Sequence, residues 1–159
     1  MQKTILITGS TDGIGLETAK ILLSQGHRVL LHGRNQAKLD NVEKQLSALP
    51  GAGQIECYIA DLSRKSEVES LAQAVATKHA TVDVLINNAG IFHTPEPITS
   101  NGLDIRFAVN TLAPYLLTKR LLPLLPPLYS VGVYYWKQGE GSLFLECYPD
   151  RSSVVTPSR

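Results

Sequence analysis

A glycine-rich loop near the N-terminus constrains the fold more than any other feature of this sequence. The loop follows an apolar run, Lys3–Thr8, and precedes a stretch with helical apolar spacing, Ile14–Gln25; it reads Thr8-Gly9-Ser10-Thr11-Asp12-Gly13-Ile14-Gly15. In such a loop the first glycine allows a tight turn, the second lets backbone amides approach a pyrophosphate, and the third lets the helix pack against the strand. The N-terminus of the helix then faces the phosphates. An ordinary strand-to-helix turn is the alternative, and we predict a nucleotide site.

Four short apolar runs alternate with helical patterns before residue 126. The runs are apolar on both faces, which is typical of a parallel sheet covered by helices on both sides. The predicted strands are Lys3–Thr8, Arg28–His32, Ile55–Ala60 and Val82–Ile86. We therefore predict an α/β fold with a doubly wound parallel sheet of the Rossmann type.

The helices are predicted from apolar residues spaced at i, i+3 and i+4. Asn35 is expected to cap the second helix, and Ser63 or Ser66 the third. The fourth is predicted as one long helix from Gly102 to about Leu122, kinked at Pro114 because proline cannot donate a helical hydrogen bond. Apolar residues lie on several sides of this helix, so we expect self-association or aggregation through it.

The composition changes at Pro126-Pro127. Six of the ten aromatic residues lie in the last 34 positions, and neither alanine nor isoleucine occurs after Pro126. Two β-prone runs, Tyr129–Trp136 and Ser142–Tyr148, are separated by a glycine-containing turn and predict a hairpin. A polar end without regular structure, Asp150–Arg159, follows. We predict a nucleotide-binding domain over residues 1–125 and a divergent tail over residues 126–159.

Charge and cysteine content exclude several classes of protein. Lysine and arginine number 15 and aspartate and glutamate 14, a net charge of +1 that argues against nucleic-acid and acidic membrane partners. Two cysteines, Cys57 and Cys147, and four scattered histidines favour neither a disulfide scaffold nor a metal site. No run approaches the roughly 20 apolar residues of a membrane span. We expect a reduced, cytoplasmic protein.

The end of the second predicted strand bears on the choice of cofactor. An NAD site favours an acid there that binds the ribose hydroxyls. The sequence instead has Arg34, with no acid until Asp40. A guanidinium can make a forked contact with a 2′-phosphate, so NADP is favoured over NAD. Asp12 is a counter-argument, because it brings negative charge nearby.

Further motifs follow in order along the chain: Asp61-Leu62, Asn87-Asn88-Ala89-Gly90 and Asn110. With the glycine loop, they resemble the short-chain dehydrogenase/reductase family from Met1 to Leu125. The resemblance implies an NADP(H)-dependent oxidoreductase that transfers hydride between an alcohol and a carbonyl. It also implies these cofactor-binding residues: Gly9, Ser10, Asp12, Gly13, Ile14, Gly15, Arg34, Asp61, Leu62, Asn88, Ala89 and Gly90.

Asn110 is the one catalytic residue that the resemblance implies. In the family this asparagine supports a proton relay to the catalytic lysine. From the residues alone, Asn110 can equally bond backbone at the kink before Pro114, and both roles are compatible.

The family's serine and its Tyr-x-x-x-Lys pair, with tyrosine as general acid/base, are not found. After the predicted long helix the single lysine is Lys137, with Val133 four residues before it and Tyr134 three before it. Three interpretations therefore stay open. The chain is an impaired NADP-dependent enzyme, a non-catalytic nucleotide-binding module, or a truncated product without activity.

Overall fold

The structure is a computed structural model that describes residues 1–126 in full and only the backbone of residues 131–137 and 140–147 thereafter. Its main body is a four-stranded parallel sheet. The strands, in chain order, are β1 (Thr4–Ile7), β2 (Arg28–Gly33), β3 (Ile55–Ile59) and β4 (Val84–Ile86). In space their order is β3-β2-β1-β4. The predicted doubly wound parallel sheet is confirmed.

Helices connect consecutive strands of this sheet. They are α1 (Gly13–Ser24), α2 (Gln36–Ser47) and α3 (Lys65–Lys78). After β4 come α4 (Ile105–Phe107), a π-helical turn (Ala108–Leu112), α5 (Ala113–Leu121) and a 3₁₀ turn (Leu122–Leu124). The strand order reverses between β1 and β4, and ligands of open α/β sheets bind outside the carboxyl ends of the strands at such a point.

Alternate residues of each central strand enter opposite halves of the core. Ile5 and Ile7 pack in the half covered by α1 and α2, whereas Leu6 packs in the half covered by α3 and α5. All three side chains are at most 3% exposed. Burial on both faces explains why the strand sequences are apolar without alternation.

The structure confirms one predicted helix cap and contradicts another. Asn35 caps α2 as predicted, since its Oδ1 accepts a hydrogen bond from the backbone N–H of Lys38 at 2.9 Å. The predicted serine cap of α3 is wrong: Arg64 occupies the cap position and makes no side-chain capping bond. Glu67, in the first turn of α3, instead accepts the backbone N–H of Asp61 at 2.6 Å. The carboxylate thus binds the loop that precedes the helix.

The predicted helix from Gly102 to about Leu122 is confirmed as one uninterrupted helical run, but it begins three residues later than predicted and contains a π turn. Helical structure begins at Ile105, after Asp104 accepts the backbone N–H of Arg106 at 2.8 Å. The π turn then joins α4 directly to α5. Pro114 has no N–H to donate to the carbonyl of Asn110, four residues back, and the widened turn relieves this mismatch.

Three large apolar side chains of this helical segment are exposed: Phe107 at 51%, Tyr115 at 58% and Leu122 at 53%. Self-association through this surface stays a prediction. No helix in the described part of the chain combines the length and hydropathy of a bilayer span.

Beyond residue 126, β5 (Val131–Lys137) and β6 (Glu140–Cys147) pair antiparallel in a sheet separate from the parallel one. These strands overlap the two β-prone runs of the predicted hairpin. The polar end, Asp150–Arg159, lies outside the described residues. The division into residues 1–125 and 126–159 stays a prediction.

Candidate nucleotide-binding site

A cavity of about 630 Å³ opens at the carboxyl ends of β1, β2 and β3. Four segments far apart in sequence line it: the glycine loop, the β2–α2 junction, the β3–α3 loop and the segment after β4. The predicted site residues that line it are Gly9, Asp12, Gly13, Ile14, Arg34, Asp61, Leu62, Asn88, Ala89 and Gly90. The fold therefore brings most of the predicted residues around one concave surface.

Backbone conformation and close packing require glycine in the loop. Gly9 and Gly13 have φ angles of +64° and +52°, which residues with a Cβ rarely adopt. A Cβ on Gly9 would lie 2.8 Å from the Cα of Ala89, and a Cβ on Gly15 would collide with the carbonyl oxygen of Gly9. Around Gly13 the space is open to 4 Å. The loop is thus packed on its inner side and accessible at Gly13.

Asp12 is the N-cap of α1. Its Oδ1 accepts the backbone N–H of Gly13 at 2.8 Å, at the end of the helix where a carboxylate is favoured. Asp12 therefore has a structural role, and its charge is partly offset by the helix N-terminus.

Asn88 holds the loop from the side of β4. Its Nδ2 donates to the carbonyl oxygens of Thr8 at 3.0 Å and Gly9 at 2.9 Å. The hydroxyl oxygen of Thr8 accepts the backbone N–H groups of Asn88 at 3.0 Å and Ala89 at 3.1 Å. Thr8 is buried, and no role is predicted for it from the sequence. Its partners lie about 80 residues away, so no local pattern identifies it.

Asn110 lies within the π turn and does not line the cavity. Its side-chain amide bonds both backbone groups of Ile91, with Oδ1 accepting the N–H and Nδ2 donating to the carbonyl, each at 2.8 Å. Asn110 thus fixes the segment after Gly90. Of its two predicted roles, the contact with backbone is present, but the backbone belongs to another segment rather than to the kink.

The β2–α2 junction supplies the positive charge of the cavity. Arg34, Asn35 and Lys38 line this end of the cavity, and all three are exposed. Within residues 1–126, neither Arg34 nor Lys38 forms an ion pair, whereas Arg64 pairs with Glu67 and Arg120 with Glu69. Lys38 is not among the predicted site residues, although its position one helical turn after Arg34 is a usable signal.

A buried histidine lies beneath the loop. His32 is 3% exposed; its Nδ1 is 3.1 Å from the backbone nitrogen of Gly9, and its Nε2 is 3.1 Å from the carbonyl oxygen of Ala60. Burial lowers the pKa of His32 from 6.5 to about 4, although the Ala60 hydrogen bond and the charge of Asp61 act in the opposite direction. The imidazole is therefore neutral at neutral pH.

Ser10 packs against this histidine and does not line the cavity. It is fully buried, and its Oγ accepts the backbone N–H of His32 at 2.9 Å. Its own N–H donates to the carbonyl of His32 at 3.0 Å. Ser10 is predicted to bind the cofactor, but the structure places it inside, where it links the glycine loop to β2.

The prediction that the sequence contains no Tyr-x-x-x-Lys motif is wrong. Tyr115 and Lys119 have this spacing in α5. The ammonium of Lys119 lies 5.9 Å from the centroid of the Tyr115 ring, over its face. Neither residue lines the cavity, and Tyr115 is exposed. The pair therefore lies away from any cofactor held in the cavity. The side chains of Tyr134 and Lys137 lie outside the described residues.

Comparison with known proteins decides the family. The model of the short-chain dehydrogenase family matches residues 3–132. The chain belongs to this family of oxidoreductases. It is 44% identical over 117 residues to an uncharacterised oxidoreductase of Emericella nidulans, a match that covers 72% of this chain and 44% of the relative. It is 38% identical over 133 residues to mouse retinol dehydrogenase 14, with 77% of this chain and 40% of the relative covered.

Solved structures of short-chain dehydrogenases share the fold. A metagenomic short-chain oxidoreductase in complex with NADP is 35% identical, with a TM-score of 0.67 over 77% of this chain and 55% of the other. The Sphingobium yanoikuyae short-chain dehydrogenase in complex with NADPH is 29% identical, with a TM-score of 0.65 over 76% of this chain and 47% of the other. The chain thus spans about half the length of the family members it matches.

Proposed function

We propose that this short-chain dehydrogenase chain binds NADP(H) in the cavity at the carboxyl ends of β1, β2 and β3. The observation that carries the proposal is the pair of cations Arg34 and Lys38, which line the cavity beside the glycine loop without forming an ion pair in the described part of the chain. A 2′-phosphate would supply the missing negative charge. The NADP and NADPH complexes of two related structures support this choice over NAD.

The geometry of the loop fits a dinucleotide. Gly13 lies at the N-terminus of α1, and the open space around it allows a phosphate to approach the backbone. Asp61 and Leu62 line the cavity next to the β2–α2 junction, where the adenine would bind. Asn88 shapes the opposite wall through its bonds to Thr8 and Gly9. In this arrangement the chain orients the cofactor mainly through backbone.

When bound, NADP(H) would supply or accept the hydride of an alcohol–carbonyl interconversion. That reaction also needs a proton donor beside the carbonyl oxygen. Among residues 1–126, the tyrosines are Tyr58, which is buried beneath α3, and Tyr115, which is exposed on α5; neither lines the cavity. We therefore propose that the chain binds the cofactor but does not reduce carbonyl substrates.

Since neither tyrosine of residues 1–126 lines the cavity, nucleotide binding without turnover is the favoured function. A cytoplasmic location and self-association through the long helix stay predictions. Binding and turnover are separable in one experiment. The purified chain is titrated with NADPH while intrinsic cofactor fluorescence is followed, and carbonyl compounds are then added. Saturable binding without NADPH oxidation supports the proposal, and steady NADPH oxidation overturns its second half.

A further inference from the structure

Three structural elements of the proposed site meet at the buried imidazole of His32. The residue belongs to β2, one ring nitrogen contacts the glycine loop after β1, and the other contacts Ala60 at the end of β3. Ala60 directly precedes Asp61, which lines the cavity. His32 thus lies between the phosphate side and the adenine side of the cavity, which it also lines.

The hydrogen-bond partners fix the tautomer of the ring. The carbonyl oxygen of Ala60 can only accept, so Nε2 carries the proton and donates it over 3.1 Å. Nδ1 is then unprotonated and accepts the backbone N–H of Gly9 over 3.1 Å. Both ring nitrogens are therefore used, and the bond from Gly9 needs the neutral form because a protonated Nδ1 cannot accept.

The backbone N–H of Gly9 donates its hydrogen bond to the Nδ1 lone pair of His32. Gly9 has a φ of +64° and packs against Ala89, so its peptide turns away from the extended path of β1. A backbone N–H without an acceptor in such a position is costly. Ser10, the next residue, is bonded to the backbone of His32 by its own N–H and by its hydroxyl. The first turn of the loop is thus fixed to β2 by both side chain and backbone of His32.

We propose that His32 is a positioning residue for the cofactor: its Nδ1 holds the Gly9 amide and thereby sets the conformation of the glycine loop that receives the phosphates. The proposal rests on the proposed NADP(H) binding. It assigns the ring no contact with the reacting atoms. Its action is on the loop, through one lone pair.

The electrostatic surroundings of the ring agree with this assignment. Asp61, in the loop after β3, is the charged group whose field acts on His32, and it favours the protonated form. On the side of β1 the ring contacts the uncharged backbone of Gly9. Burial lowers the pKa of His32 more than Asp61 raises it, so Nδ1 keeps its acceptor lone pair at neutral pH.

Two substitutions separate the two bonds of the ring. In His32→Asn the amide oxygen can occupy the place of Nδ1 and accept from Gly9, whereas the bond to Ala60 is lost. In His32→Gln the longer side chain can place its NH₂ at the position of Nε2 and keep the bond to Ala60, whereas the Gly9 amide loses its acceptor. Both variants replace an imidazole by an amide of similar polarity.

His79 provides a matched control. It is also buried, at 8% exposure, and its Nε2 contacts Glu56 at 3.1 Å and Tyr58 at 3.3 Å, outside the cavity. His79→Asn and His79→Gln remove a buried imidazole of the same fold without touching the loop. They report the general cost of such a replacement.

The first measurement uses the unliganded full chain. Hydrogen exchange of the Gly9 amide, followed by NMR, is expected to be slow in the unsubstituted chain and in His32→Asn, and on the order of tenfold faster in His32→Gln. Histidine ¹⁵N spectra of the unsubstituted chain are expected to show His32 protonated at Nε2 alone. Protonation at Nδ1 overturns the proposal even if a variant fails to fold.

The second measurement is the affinity for NADPH. His32→Gln is expected to weaken it on the order of tenfold, His32→Asn by no more than about threefold, and the His79 variants not at all. Equal affinities of the two His32 variants overturn the proposal. If the unsubstituted chain binds no NADPH, the proposed function fails, and the exchange of the Gly9 amide then decides the role of His32 by itself.

Discussion

The side-chain amide of Asn110 pairs with the peptide groups of Ile91 as a strand partner would, with one hydrogen bond in each direction, both of 2.8 Å. This pair joins the π turn before α5 to the segment after Gly90, which lines the cavity. The contact bridges 19 residues of sequence. It explains how an asparagine within a helical segment can shape a site that it does not line.

Asn110→Leu is expected to lower the free energy of unfolding by roughly 2 kcal/mol, because it leaves the N–H and the carbonyl of Ile91 without partners. Urea denaturation followed by circular dichroism measures the change. Asn41→Leu, at an exposed position of α2, is the control and should change stability by no more than about 0.5 kcal/mol. Equal effects of the two substitutions would show that the pairing with Ile91 contributes little.

Arg34→Asp is expected to reverse the cofactor preference from NADPH toward NADH, because it replaces a phosphate-binding guanidinium by a carboxylate that suits ribose hydroxyls. Lys38→Glu should weaken NADPH binding and leave NADH binding nearly unchanged. Lys44→Glu, in the same helix but outside the cavity, is the matched control. Dissociation constants for both cofactors check this prediction, and an unchanged ratio in Arg34→Asp contradicts it.

Gly13→Ala is expected to impair NADPH binding beyond its effect on stability. Its φ of +52° makes alanine unfavourable by about 1 kcal/mol, and the added methyl group would enter the space left for a phosphate. Gly51→Ala is matched, since Gly51 also has a positive φ, +68°, and open surroundings, but lies outside the cavity. Thermal unfolding should report similar losses for both variants. A similar loss of NADPH affinity in Gly51→Ala would argue against a direct role of Gly13.

Stability is expected to fall on acidification because of His32. Its pKa of about 4 in the folded chain lies below the ordinary value of 6.5, so the unfolded chain binds more protons between these pH values. The free energy of unfolding is unaffected by His32 above about pH 6.5. It falls by up to roughly 1.4 kcal/mol per pH unit between pH 6.5 and pH 4, and the loss is constant below pH 4. Urea denaturation from pH 7.5 to 4 measures the slope. His32→Gln should flatten it, and an unchanged slope would assign the acid sensitivity to other groups.

The features that could be predicted from the sequence depend on local patterns. The glycine loop, the cap at Asn35 and the four parallel strands each follow from residues close in the chain. The missed features depend on distant partners. Glu67 binds the backbone of Asp61 in the loop before α3, the π turn accompanies the contact of Asn110 with Ile91, and Thr8 meets Asn88 only in the folded sheet.

The residues of the cavity could likewise be predicted where a local motif marks them, and not where their role depends on distant partners. Gly13 and Arg34 were identified because motif and position mark them. In the sequence His32 is one of four scattered histidines, and its role depends on Gly9 and Ala60, which are 23 and 28 residues away. Tyr115 and Lys119 show the reverse: a motif spacing is present, but the helix places the pair outside the cavity.

Calorimetric titration of the purified chain with NADPH and, separately, with NADH tests the central claim most directly. A single saturable site is expected for NADPH, with NADH bound at least about tenfold more weakly, because a charge-assisted contact to phosphate stabilises by roughly 1.5–3 kcal/mol. Absence of saturable NADPH binding, or equal affinity for the two cofactors, would contradict the assignment of the cavity as an NADP(H) site.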